Sequence, residues 1–370
     1  MKAAQQKIQR KVSSLLAAKN PTVAEHVACL THPDLPSLSA GERLALLKQT
    51  LGQAVSLEFA TIPIYLCALW SIKNNLHPAA VSIRNVVQEE MLHLALACNM
   101  LASIGGRPKI YDTTKTGLRY PTGLPGGVHP ELTLKLSGLT DDALDDFLEV
   151  ELPASDIDIE PYSNKYTPAD KDDKHTHDHA HTIGALYDAI AEEFQSLKPE
   201  MRPDNQVSGP LSWFIVDKPE KVESAIHWIK TQGEGAIDTS PKNTGLKKLS
   251  HFYRFWEIRK RQKIEKDEAT GKYVFKSPLE FPEVWPMVVV PKGGYQKKDV
   301  SEDVWVLVSK FDETYTKLIK LLETAWGEGG QGALWHAIET MFDLERYAIP
   351  LMQIPIPGEI GNYGPSFRLL

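Results

Sequence analysis

The chain has 370 residues, a formal net charge of −7, and is 42% hydrophobic and 24% charged. That is the composition of a globular protein with one large domain or two average ones. Its basic residues are dispersed rather than striped, which argues against nucleic acid as a partner, and it has no uninterrupted run of about 18 uncharged apolar residues, so no membrane span is expected.

The first 20 residues lack acids and include Ser13-Ser14; they read as a short surface helix rather than a transit peptide. Residues 1–40 are taken as a helical or irregular extension and 41–370 as one elaborated domain, because no repeat and no clean linker divides them. From Leu44 to Lys73 the apolar residues Leu51, Val55, Phe59, Ile62, Leu66 and Trp70 spread around the circumference of a single helix, the pattern of a buried helix. Pro63 is expected to kink it. A second helix over about 79–104 ends at Gly105-Gly106-Arg107-Pro108. Residues 105–140 look irregular, with a short strand at 132–136, and a short helix follows at 141–149. A polar loop over 153–181 ends in a run containing His175, His177, His179 and His181. Only His181 is kept as a group near a site, because nothing apolar pins the run. Helices then fall at 182–198, 218–238 and 247–264, a small hairpin or loop at 270–296, and two amphipathic helices at 301–326 and 331–350 before a Pro/Gly-rich tail. Cys29, Cys67 and Cys98 are odd in number and read as reduced, buried thiols of a cytosolic protein.

The chemistry concentrates in Glu89-Glu90-Met91-Leu92-His93. Glu90 and His93 are three apart, so they share a face of a helix whose neighbours Val86, Val87, Leu94 and Leu96 are apolar. Burying a carboxylate and an imidazole there is costly without a partner, and a metal ion supplies one. Glu-x-x-His recurs on facing helices of di-iron and di-manganese four-helix bundles. Glu58 is the only acid between Glu42 and the end of the first long helix, and Tyr65, seven residues on, shares its face. The helix at 182–198 offers Asp188, Glu192 and Glu193; its apolar stripe favours Glu193, its polar face aligns Glu192 with Asp188 and His181, and spacing alone does not decide. Gln232-Gly233-Glu234-Gly235 sets an acid between two glycines near a helix end, where propensity is poor. No His follows three residues later, so a split ligand pair is expected, Glu234 before an excursion and His251 after it. The alternative is a core histidine packed against Tyr253 and Trp256.

Leu57-Glu58-Phe59-Ala60-Thr61-Ile62-Pro63, the Glu89–His93 segment, Gln232-Gly233-Glu234-Gly235, Ser250-His251-Phe252-Tyr253-Arg254-Phe255 and the tail Gly364-Pro365-Ser366-Phe367 occur in this order. Together they resemble the ferritin-like domain of the iminophenyl-pyruvate dimer synthases of violacein- and rebeccamycin-type pathways, from about residue 40 to the C-terminus. The resemblance implies an all-α fold: a ferritin-like four-helix bundle with long irregular insertions and additional C-terminal helices, its core at about 44–104, 182–198 and 218–264 and its outer layer at 301–350. It favours Glu192 as the ligand of the 182–198 helix, although Ala185 departs from the acid often found there. The synthases are much longer chains, so their dimerising reaction does not carry over. The expected metal ligands are Glu58, Glu90, His93, Glu192, Glu234 and His251, an anionic set suited to two iron ions, with manganese as the other candidate. Tyr65 is expected to move protons or electrons and Arg254 to hold a substrate carboxylate. The implied activity is a di-iron oxidase or oxygenase of a small amino-acid or amine-derived molecule in secondary metabolism. It would use O₂ and, where needed, an external electron donor, in a chain free to form oligomers. The rival is an iron-handling ferroxidase or storage protein with no organic substrate.

Overall fold

The computed structural model describes residues 2–111, 118–153, 182–209, 215–233 and 249–370. Its N-terminal region forms α1 (Lys2–Ala17) and α2 (Val23–Leu30), followed by the long α3 (Ala40–Ser71) and α4 (Pro78–Ser103). Then come α5 (Asp141–Val150), α6 (Ile183–Leu197), α7 (Pro219–Gly233) and α8 (His251–Lys260). An antiparallel hairpin of β1 (Gln262–Lys266) and β2 (Tyr273–Pro278) precedes α9 (Glu302–Ala325) and α10 (Gly330–Met352). Among the described residues the architecture is all-α apart from that hairpin.

Local chemistry fixes the starts of the helices that matter. α3 opens on a capping box: the Ser39 hydroxyl accepts from the Glu42 N–H, and the Glu42 carboxylate accepts from the Ser39 N–H. α4 opens with Pro78 in its first turn, where a missing N–H costs nothing, and the His77 ring accepts from the Ala79 N–H. Thr140 and Thr182 cap α5 and α6 in the same way as Ser39 caps α3, each accepting from the N–H three residues on. α8 stops where Arg261 turns left-handed at φ 55°.

Four helices close a ring. α3 packs on α4 and α6, and α7 packs on both α4 and α6. α8 lies against α4 and carries α5 on its other side, while α9 and α10 pack together with α10 touching α3. By length and composition α3 is apolar enough to cross a membrane, yet 89% of that window is buried inside the fold. It is the central helix, which is why its apolar residues run all round.

Several expectations shift. The first 40 residues supply α1 and α2, whose Ile8, Val12, Val23 and Val27 are buried in the common core. The strand expected at 132–136 is a single bridge between Thr122 and Leu134. The hairpin begins earlier than expected, at Gln262. α3 continues as one helix through Pro63, which has no N–H to give the Phe59 carbonyl. Glu234 and the histidine run from His175 to His181 lie outside the described residues.

Candidate metal centre

Five acidic and imidazole side chains from four elements meet inside the bundle. Glu58 comes from α3, Glu90 and His93 from α4, Glu151 from the residue that ends α5, and His251 from the first position of α8. None is more than 8% exposed. They form two groups sharing one carboxylate, Glu58–Glu90–His93 and Glu90–Glu151–His251, and within each group the potential donor atoms lie within 4.8 Å of one another. The two imidazoles stack, with centroids 5.4 Å apart and planes inclined by 24°.

Both rings are held from outside with one nitrogen turned inward. His93 Nε2 lies 2.8 Å from Gln232 Oε1, an acceptor, so that nitrogen carries the proton. Its Nδ1 then faces Glu58 Oε2 and Glu90 Oε1, each at 3.7 Å. His251 Nε2 is 3.0 Å from Glu89 Oε2, and Arg254 Nη1 anchors the same carboxylate oxygen at 2.8 Å. His251 Nδ1 sits 2.7 Å from Glu90 Oε1 and 3.5 Å from Glu151 Oε2, but neither contact is aligned as a hydrogen bond, and the buried nitrogen has no hydrogen-bond partner. A carboxylate that fixes the far nitrogen of a histidine is the usual outer support of a metal-bound imidazole. The carboxylates are steadied as well. Thr61 Oγ1 lies 2.9 Å from Glu90 Oε2, Tyr65 donates to Glu151 Oε1 at 2.6 Å, and Tyr187 donates to Glu58 Oε1 at 2.5 Å.

The electrostatics say what is missing from such a cluster. Burial and then the charge of Glu90 push Glu58 well above the usual carboxylate range, and Glu151 rises for the same two reasons. Burial lowers His93. Against burial, the surrounding carboxylates of Glu151, Glu89 and Glu90 hold the proton on His251. Carboxylates sharing a dry site must hold protons unless a cation replaces them. Two inward ring nitrogens, that of His251 once a cation displaces its proton, and three converging carboxylates are a donor set for divalent cations; oxygen and imidazole donors suit iron or manganese better than a thiolate-type ion. Cys29, Cys67 and Cys98 are free, buried thiols and belong to neither group.

The family described as ferritin-like matches residues 51–260, the segment running from α3 to the end of α8. The chain belongs to the ferritin-like family. A crystal structure of a ferritin-like protein from Caulobacter vibrioides at 1.95 Å resolution superposes with a TM-score of 0.56 at 19% identity, covering 86% of this chain and 97% of that one. At that identity the likeness speaks to the fold. No curated protein matches. The matches reach the ferritin-like domain and do not single out the iminophenyl-pyruvate dimer synthases.

In this ferritin-like chain the structure brings together Glu58, Glu90, His93 and His251, with Tyr65 beside them. Glu192 is not among them. It is exposed, because the apolar stripe of α6 faces the core and Glu192 sits opposite. The other two acids of α6 are also occupied elsewhere: Glu193 forms a buried two-pronged pair with Arg43 at 2.9 Å per contact, and Asp188 meets Lys230 at the surface. What α6 offers the site is Tyr187. Arg254, expected at a substrate carboxylate, is instead committed to Glu89 and, through Nε, to the Leu249 carbonyl at 2.6 Å. It positions His251 indirectly.

Sequence reasoning passed over Glu151, Glu89 and Gln232. A signal for Glu151 exists. Leu144, Phe147 and Leu148 form the buried stripe of α5, and Glu151 occupies the next place on it. An acid on an apolar stripe is the same anomaly that exposed Glu58.

Proposed function

We propose that this protein is a non-haem di-iron oxidase or oxygenase that uses O₂ to oxidise a small amino-acid or amine-derived molecule. The observation that carries the reading is the pair of donor groups joined through Glu90, each ending in an inward imidazole nitrogen. Glu58, Glu90 and His93 would hold one ion and Glu90, Glu151 and His251 the other. Each set offers three protein donors and leaves positions for small molecules, the arrangement of a reactive centre rather than a closed structural one. Two iron ions bound there would supply electrons for O₂ activation; manganese is the alternative ion. The chain's own residues do the rest. Glu89 and Gln232 fix the ring tautomers, and the buried packing of Phe147 and Phe255 around Tyr65 keeps bulk water away from Glu151. Tyr65 holds a proton at its hydroxyl, ready to pass to Glu151, and Tyr187 does the same for Glu58. An apolar cavity of about 60 Å³ between α3, α4 and the α9–α10 pair, lined by Ile62, Met91 and Leu94 among others, is a dry space large enough for a gas molecule.

The amino-acid or amine class rests on the resemblance of the motif set and not on the site. O₂ uptake by the iron-loaded protein decides between this reading and iron handling. Uptake that rises with an added amino acid or amine, with or without an external reductant, supports it. Uptake strictly proportional to added Fe(II), repeated over many equivalents with mineral formed and no response to organic additives, makes the protein a ferroxidase.

A further inference from the structure

The apolar cavity between α3, α4 and the α9–α10 pair has an open end and a closed one. Met91, Leu322, Ile338 and Met341 on its wall are half-buried, so it opens toward solvent, while Leu94, Ala337 and Leu344 are buried. No polar atom of the described residues is exposed on that wall. Trp326 also lines it, and its indole N–H is spent on Asn99 Oδ1 at 2.8 Å. A pocket without donor or acceptor stays dry and takes occupants that need neither. Its free volume of about 60 Å³ limits an occupant to a few heavy atoms.

Two backbone irregularities converge on this small space. Pro63 lies inside α3, where it leaves the Phe59 carbonyl without its helical N–H and costs stability. Phe367 holds φ at 46°, in the left-handed region that bulky residues avoid. Its neighbours keep it there: the Ser366 hydroxyl donates to Asp312 Oδ1 at 2.7 Å, and the Arg368 N–H donates to the same oxygen at 3.1 Å. The Phe367 ring lies flat on Trp70, with centroids 6.0 Å apart. Both Pro63 and Phe367 line the pocket. Strain held in place by its surroundings gathers at ligand sites, and an unfilled apolar space is itself destabilising. Three separate costs therefore fall on one pocket.

The pocket and the metal centre share two helices. Ile62 follows Glu58 by four residues and Leu94 follows Glu90 by four. Each therefore stands one turn from a donor carboxylate on nearly the same face, with Cβ atoms about 5–6 Å apart.

We infer that this pocket is the docking site from which dioxygen reaches the metals, passing Ile62 and Leu94. The inference rests on the reading of the centre as one that reacts with O₂. Of the reactants in that chemistry, dioxygen is the one that fits: it is diatomic, uncharged and asks for no hydrogen bond. An amino acid or amine carries polar groups that this wall leaves unmatched.

Xenon, an inert apolar atom, probes the pocket without the metals. In the full chain with ¹³C-labelled methionine methyls, the Met91 and Met341 resonances should shift saturably under xenon pressure, with Met201, which does not line the pocket, as the control. Ala337→Leu fills the pocket from α10 and should weaken that response about tenfold or more. Ile338→Trp narrows the open end from a half-buried position, where the larger ring can turn to solvent without disturbing the fold. In chains loaded with Fe(II) without oxygen and then mixed with O₂ over a range of concentrations, both variants should lower the second-order rate constant of oxidation about fivefold or more, with metal content unchanged. No saturable xenon shift at Met91 or Met341 in the native chain overturns the site. Xenon binding together with an oxidation rate that neither variant slows overturns the role in O₂ delivery and leaves the centre as read. A native Fe(II)-loaded chain that does not react with O₂ removes the reading of the centre, and this inference with it.

Discussion

Glu89 belongs to neither donor group, yet the second half of the centre depends on its contact with His251. Its Oε2 takes the His251 Nε2 proton at 3.0 Å and stands 2.8 Å from Arg254 Nη1. Although burial opposes ionisation, the hydrogen bond from His251 and the charges of His251 and Arg254 hold its carboxyl down at about 2, so it is a fixed anion at working pH. Glu89→Gln keeps the size and removes the charge. The new amide has one acceptor oxygen for two donors, and its NH₂ must then point at a ring N–H or a guanidinium. Loss of such an outer support costs about 10- to 100-fold in metal affinity, or roughly 1.4–2.8 kcal/mol. The effect should fall on the Glu90–Glu151–His251 position alone, because His93 is oriented by Gln232 instead. Anaerobic calorimetric titration with Fe(II) or Mn(II), fitted to two classes of site, reads this directly. Metal-free unfolding measured alongside separates it from general damage to the buried Arg254. Equal weakening of both classes, or of neither, would refute the assignment of Glu89.

On the proposed di-iron reading, Glu151→Ala should leave one metal per chain where the native protein is expected to bind two, while Glu192→Ala should leave both; elemental analysis after iron reconstitution decides. Arg43→Met strands Glu193 in a buried position and should cost about 3–5 kcal/mol in denaturant unfolding, with metal content intact in the folded fraction and much of the loss recovered by adding Glu193→Leu. His26 supplies a pH dependence. Burial lowers it from 6.5 to about 4, so between those values the unfolded chain binds the extra proton and stability is lost as pH falls. From pH 7.5 to pH 5 its share is about 2 kcal/mol, and a His26→Gln variant whose stability falls just as steeply over that interval would contradict the assignment.

How far the sequence reached follows from which anomalies it displays. An acid inside an apolar surround is visible in one dimension: Glu58 in a helix apolar on every side, and Glu90 with His93 at helical spacing among valines and leucines. Those residues are legible for that reason; the helices are read from apolar periodicity, and His251 from the lack of a histidine three residues after Glu234. Resemblance favours Glu192 against the stripe of its own helix, and the stripe prevails because burial of Leu186, Ile190 and Phe194 fixes the rotation of α6. Glu151 was hidden differently. It follows a short helix crowded with Asp141, Asp142, Asp145, Asp146 and Glu149, and only its place after Leu144, Phe147 and Leu148 marks it as inward. That α5 docks on α8, so that this one acid of six meets His251, is a matter of packing between segments about 100 residues apart, which local periodicity does not encode. The same holds for Arg254, whose charge could suit a substrate until the fold sets Glu89 beside it. Sequence alone determined which helices are buried and which acids are out of place on them; tertiary structure decided which partners those acids meet, because contact between distant elements is chosen by the fit of whole faces and not by any residue's neighbours in the chain.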